Sequence, residues 1–195
     1  MADAEPAAGW GAVRLTEARQ VLELMGSDPD GWPAADVDVR RHYRTFLDAG
    51  APSAALSFLA HALPRLEAVA WAARVVADAA RLDPPPPRQR HALDTALRWL
   101  DDPTDHHRRA ARDAADAVGE PVAEQFLGKA VFYSGGSIAP PAAPPVMPPE
   151  HVVGRYVAAA IGQLANRGAE PDAALARALR LGEAMAERGL EALGR

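Results

Sequence analysis

Histidine is the side chain most often used for acid–base chemistry and metal binding near neutral pH, and the chain contains six histidines. His61 comes just before Pro64, whose ring ends one predicted helix and suits the first turn of the next. Arg65, Glu67 and Trp71 follow on that second helix. These four side chains predict either a pocket for a peptide or small anion, or a hydrogen-bonded lock at the helix joint. We favour the lock and keep the four as a candidate binding site.

A second cluster combines the neighbouring His106 and His107 with three acidic residues, Asp101, Asp102 and Asp105. Adjacent residues on a helix point about 100° apart, so the two imidazoles cannot both face one ion without help from another segment. The chain has no cysteine, which excludes thiolate zinc sites and a cysteine nucleophile. We therefore expect a solvated first helical turn here, and we expect no metal, no cofactor and no catalytic residue.

A third candidate is the stretch from 132 to 137, FYSGGS, where Gly135 and Gly136 could present backbone N–H groups to an anion. The glycines follow a predicted helix, however, whereas phosphate-binding loops precede one and carry a lysine. The position favours a helix cap. Tyr133 in this stretch joins Arg65 and Trp71 as a candidate contact residue, because aromatic and arginine side chains dominate interface hot spots.

Composition excludes several classes of function. The net charge is −5 and no Lys/Arg block occurs, which argues against nucleic acid as a partner. The first thirty residues hold charges at Asp3, Glu5, Arg14 and Glu17 without an apolar block, so we expect no signal peptide, no membrane insertion and a cytoplasmic location.

Apolar residues return every three or four positions along nearly every segment, which predicts an all-α fold of about eight helices. We expect a compact multi-helix bundle or an array of helical hairpins. An acidic residue followed by proline occurs at Asp102, Glu120 and Glu170, and each pair is interpreted as a helix start. These starts predict helices near 103–118, 121–133 and 171–193, with another near 149–167.

The stretch 134–148 is rich in Gly, Ala and Pro and predicts a proline-rich surface strap. It either crosses the last helices of a single domain, 1–195, or tethers a separate terminal helical pair, 149–193. We favour one domain with a core at about 12–193, because each terminal helix has an apolar face that needs a partner. The small residues Gly154, Ala158 and Gly162 predict that this helix packs closely on the last one, or offers a surface to a partner.

Three stretches carry a resemblance to a known family: LTEARQVLEL at 15–24, ALSFLAHALPRLEAVAWAARV at 55–75 and FYSGGSIAPP at 132–141. With them the chain resembles an uncharacterised family of bacterial all-helical proteins, a domain of unknown function. The resemblance implies no activity. It also implies an association with type VI secretion gene neighbourhoods, and therefore an accessory or adaptor role.

Two functions follow as predictions. The first is a non-enzymatic protein–protein interaction or adaptor protein, accessory to a bacterial secretion assembly, whose partner is another protein or a second copy of this chain as a homodimer. The alternative is a small-ligand-binding protein or an enzyme with its site near His61, Arg65, Glu67 and Trp71.

Overall fold

The computed structural model describes residues 10–194, and within them the chain is all-α, as predicted. The helices run in this order: α1 Ala18–Met25, α2 Val39–Asp48, α3 Pro52–Ala62, α4 Arg65–Leu82, α5 Pro87–Asp101, α6 Asp105–Val118, α7 Ala123–Tyr133, α8 Val152–Arg167 and α9 Pro171–Arg188. Short 3-10 helices occupy Pro29–Gly31 and Gly189–Leu193. Extended pairing in the described part is confined to an isolated bridge between Glu17 and Asp38.

Two of the three predicted acid–proline helix starts lie too early in the chain. Thr104 caps α6 by accepting a hydrogen bond from the His107 N–H, so Pro103 precedes the cap. Helix α7 likewise begins two residues after Pro121. Only Pro171 occupies the first turn of its helix, with Glu170 at the cap position.

The central helices pack through their alanines and glycines. One hydrophobic core takes buried residues from all nine α-helices of the described chain, and α4 and α7 contribute many of them. Helix α7 packs against α4, α5, α6 and α8, while α4 also contacts α9 and the last 3-10 helix. Side chains at the start of α7 therefore point into the interior.

The glycines predicted to join α8 to α9 face other helices. A Cβ on Gly154 would lie 2.6 Å from the His61 ring on α3, and the nearest atom to one on Gly162 belongs to Leu56 of α3. In α9, a Cβ on Gly182 would lie 2.6 Å from the Trp71 ring on α4. Helices α8 and α9 do contact each other, but the space left by their glycines is filled by side chains of α3 and α4. The predicted contact between α8 and α9 is present, but Gly154 and Gly182 lie against His61 and Trp71, so these two glycines offer no surface to a second chain.

The proline-rich strap, 134–148, is held at Ser137. The Ser137 carbonyl accepts hydrogen bonds from Arg108 at 2.7 Å and Arg109 at 3.0 Å, both on α6. The Ser137 hydroxyl accepts from the N–H groups of Ala139 and Val146, which closes the strap into a loop. The prediction placed the strap over the terminal helices, whereas these anchoring bonds come from α6.

Candidate functional site

A concave region of the described surface lies between α4, α8 and α9, and we call it the α4–α8–α9 groove. Its volume is about 540 Å³, within the range of ligand-binding clefts. Its floor is apolar and is formed by Val75, Ala79, Ile161, Leu164, Ala165, Ala174, Ala178 and Leu181. Leu82 stands at the rim with 90% of its surface exposed. Leu82 extends the apolar surface of the floor to the rim, and a continuous apolar surface of this kind is suited to contact with another apolar surface.

Glu124 supplies the groove with a buried charge. It lies in the first turn of α7, where the helix dipole favours a carboxylate, and it is only 1% exposed. Arg167, the last residue of α8, donates to Glu124 Oε1 at 3.4 Å and to Oε2 at 3.2 Å. A buried carboxylate needs such a partner, because removing a charge from water is costly.

The Arg167–Glu124 pair is loosely made. Charge-assisted N–H···O bonds are commonly about 2.7–2.9 Å, shorter than both contacts here. The Arg167 side chain is also 37% exposed, whereas that of Glu124 is 2% exposed. The carboxylate is thus fixed in the interior, while its cation comes from a side chain that reaches in from solvent.

Ion pairs order the rim of the groove. Asp78 accepts hydrogen bonds from Arg74 and Arg81, each at 2.8 Å, along the exposed side of α4. Arg74 also donates to the Leu193 carbonyl at 3.4 Å, which ties α4 to the last 3-10 helix. Ala192 of that helix lines one end of the groove. The groove therefore has an apolar floor, a charged rim and a wall at one end.

The predicted cluster around His61 comes together only in part. His61 Nδ1 contacts the Ser57 carbonyl at 2.7 Å, and Nε2 is buried without a hydrogen-bond partner. His61 and Arg65 line one cavity of about 370 Å³, together with Arg14 and Glu150. Burial lowers the pKa of His61 below its usual value, and the carbonyls of Ser57 and His151 partly oppose this effect. Burial therefore favours the neutral form of the imidazole.

Glu67 and Trp71 lie outside the His61 cavity. Glu67 is half-buried and is not part of the cavity wall. Trp71 is fully buried, and its Nε1–H donates to the Ala178 carbonyl of α9 at 2.9 Å. Trp71 thus joins α4 to α9, while His61 and Arg65 face the joint between α3, α4 and α8.

Tyr133, the last residue of α7, packs against aromatic neighbours. Its ring stacks on Tyr156 of α8 with centroids 5.4 Å apart and planes 11° apart. It also meets Phe132 edge-on at 5.1 Å. These contacts join α7 to α8 near the start of the strap, away from the groove lining.

Arg108 is a buried cation that the sequence interpretation missed. Its side chain is 5% exposed and donates to Asp105, to the Phe132 carbonyl and to the Ser137 carbonyl, with its guanidinium 4.9 Å from the Phe132 ring centre. Gly136 makes this approach possible at φ +64°, where a Cβ would lie 3.3 Å from the guanidinium. Of the two glycines, Gly136 thus makes room for Arg108, and the C-cap of α7 is Ser134.

The histidine pair of α6 has local partners. His107 Nδ1 contacts the Asp102 carbonyl at 2.9 Å, and the rings of His106 and His107 are 5.5 Å apart. Within residues 10–194 no group of three or more His, Cys, Asp or Glu side chains is arranged to hold a metal ion. In the same range, no helix combines the length and apolarity needed to cross a bilayer.

These features define an all-α protein whose candidate site is an apolar groove with one buried carboxylate. The chain belongs to the family of unknown function DUF6931, whose family model matches residues 42–186. The matched region includes Glu124, Arg167 and nearly all of the groove lining. This confirms the predicted resemblance as far as a family of unknown function, and the described part of this chain is mostly helical. No curated protein and no solved structure matches the chain.

Proposed function

We propose that this protein is a non-enzymatic binding protein that holds a helical segment of another protein in the α4–α8–α9 groove. The observation that carries the proposal is the apolar floor of the groove, open to solvent beside the 90% exposed Leu82. Grooves formed between helices commonly receive the apolar face of an amphipathic helix. The charged rim of Arg74, Asp78 and Asp83 matches the usual anatomy of an interface, with an apolar centre and a polar edge.

The resemblance described above suggests the assembly and the cellular location in which the proposed binding protein would act. An adaptor of a bacterial secretion assembly, acting in the cytoplasm, would need this kind of docking surface for a partner protein. The proposal itself depends on the groove and not on that setting.

Peptides provide a direct test. The full chain is used to select binders from a displayed library of random amphipathic helical peptides, and affinities are then measured by fluorescence anisotropy. Leu82→Glu should weaken the selected peptides by about tenfold or more, because burying a leucine contributes ~1.5–3 kcal/mol.

Met147→Glu is the matched control. Met147 is 63% exposed on the strap, outside the groove, so this charge should leave peptide affinity unchanged. A library that yields no binder, or binders that ignore Leu82→Glu, would overturn the proposal.

The alternative, a small-ligand or catalytic site at His61, Arg65, Glu67 and Trp71, has weaker geometric support. Only His61 and Arg65 share a cavity, and His61 Nε2 is shielded from solvent. The groove combines a larger apolar surface with a buried charge, so the geometry favours it.

A further inference from the structure

We infer that the segment held in the groove carries a lysine or arginine whose cation pairs with Glu124 in place of Arg167. This inference rests on the proposed function and specifies the chemistry of the partner at the same site. The partner is an amphipathic helix with apolar side chains on the groove floor and one basic side chain directed at Glu124.

The first step of the argument is that Glu124 requires a cation. Its side chain is 2% exposed, and within the described residues its side-chain hydrogen bonds come from Arg167 alone. A buried carboxylate that loses its partner is strongly disfavoured, so any occupant that displaces Arg167 must bring a positive charge.

The second step is that Arg167 is replaceable. It is the last residue of α8, its side chain is 37% exposed, and its two contacts with Glu124 are 3.2 and 3.4 Å long. Rotation about its side-chain bonds would return the guanidinium to water without moving the α8 backbone. A basic side chain entering along the groove could form shorter bonds with the same oxygens.

The third step concerns the groove around the carboxylate. Ile161, Leu164 and Ala165 of α8 line the floor together with Glu124. An occupant therefore meets apolar surface and the carboxylate together, which suits a helix with a basic residue three or four positions from its apolar residues. An acidic occupant would instead place a second negative charge beside Glu124.

The peptide selection tests this inference through Glu124→Gln, which keeps the size of the side chain and removes its charge. Peptides selected on the natural chain should share a Lys or Arg at one fixed position relative to their apolar residues. Replacing that residue with norleucine should weaken binding to the natural chain by about tenfold or more. The same replacement should have little effect on binding to Glu124→Gln, because the charge pair is already absent.

Arg167→Gln gives a second, independent measurement. Removing the internal competitor should tighten the basic peptide by about threefold or more, and the peptide should raise the melting temperature of this variant more than that of the natural chain. Circular dichroism establishes that both variants are folded before affinities are compared.

Different results separate this inference from the proposed function. Suppose that Leu82→Glu abolishes binding, so that the groove does bind a helix. The charge-pair inference is then wrong if the selected peptides lack a basic residue or carry an acidic one. It is also wrong if replacing the basic residue weakens binding to Glu124→Gln as much as binding to the natural chain. If Leu82→Glu has no effect, or no peptide is selected, both are wrong.

Discussion

At the scale of single residues, two buried charged side chains of the described chain, Arg108 and Glu124, lie on the neighbouring helices α6 and α7. Arg108 is surrounded by acceptors: Asp105 and the carbonyls of Phe132 and Ser137. Glu124 has a single side-chain donor in the described chain, which is half-exposed. The chain itself therefore supplies the partners of the buried Arg108 guanidinium, whereas the cation that pairs with the Glu124 carboxylate can come from another protein.

Arg108→Met should lower the free energy of unfolding by about 1–3 kcal/mol, because it leaves the buried Phe132 carbonyl without its arginine donor and leaves the Ser137 carbonyl with Arg109 alone. Urea denaturation measures this loss. Hydrogen exchange should also quicken at the Val146 N–H, which closes the strap on Ser137.

Arg112→Met is the control for Arg108→Met. Arg112 also lies 4.9 Å from the Phe132 ring centre, but its ion pair with Asp113 is exposed. Arg112→Met should therefore lower the free energy of unfolding by no more than about 1 kcal/mol. Equal losses from the two substitutions would mean that ring stacking, and not carbonyl binding, is the contribution of Arg108.

Both buried charges leave a signal in the sequence. Glu124 shares its helix face with Leu127 and Val131, three and seven residues later, and Arg108 shares its face with Ala111 and Ala115. A charged residue on an apolar face predicts a buried pair. The sequence does not identify the partner, since Arg167 lies 43 residues from Glu124 along the chain.

At the scale of helices, the spacing of apolar residues and the positions of the prolines predicted which segments are helical. They did not predict the residues at which α6 and α7 begin. The starts of α6 and α7 depend on where the first cap forms, and Thr104 forms the α6 cap with its hydroxyl. Small-residue spacing correctly predicted close helix packing at Gly154. It could not identify the partner, because Gly154 is open to any helix with a flat side chain, and the imidazole of His61 occupies the space.

Two glycine substitutions on α8 should have opposite effects. Gly154→Ala places a methyl group 2.6 Å from the half-buried His61 ring and should destabilise the fold by about 1–3 kcal/mol. Gly162→Ala meets only the Leu56 methyl at 3.9 Å, so the better helix propensity of alanine should make it neutral or stabilising by up to ~1 kcal/mol.

Thermal or urea unfolding of both α8 variants checks this pair. Both variants make the same Gly→Ala change on the same helix. Helix propensity therefore cannot explain why one variant loses stability and the other does not. A destabilised Gly162→Ala together with an unaffected Gly154→Ala would contradict the packing of α3 on α8.

At the scale of the whole molecule, the main core takes residues from α1 through to α9. The prediction that residues 1–195 form one domain includes positions 1–9 and 195, which lie outside the described residues. A continuous core of this kind favours a single cooperative transition on unfolding.

Two spectroscopic probes test this cooperativity. The tryptophans are at positions 10, 32, 71 and 99, all before α6, whereas far-ultraviolet circular dichroism reports on every helix. The urea midpoints from tryptophan fluorescence and circular dichroism should coincide. Two transitions would instead indicate that 149–193 unfolds as an independent pair, and fluorescence would also report the first of them, because the Trp71 indole donates to the Ala178 carbonyl of α9.

The contact of Trp71 with α9 has a consequence for how the last helix is aligned. Along one side of α9, alanine or glycine recurs every four residues, at Ala174, Ala178, Gly182 and Ala186, so small-residue spacing alone does not distinguish registers that differ by one turn. Only Gly182 leaves room for the indole, and the Ala178 carbonyl, one turn earlier, accepts its N–H. A slip of one turn in either direction would bring Ala178 or Ala186 against the ring and misplace the acceptor, so Trp71 helps to set the register of α9, together with the hydrogen bond from the Tyr43 hydroxyl to Glu183.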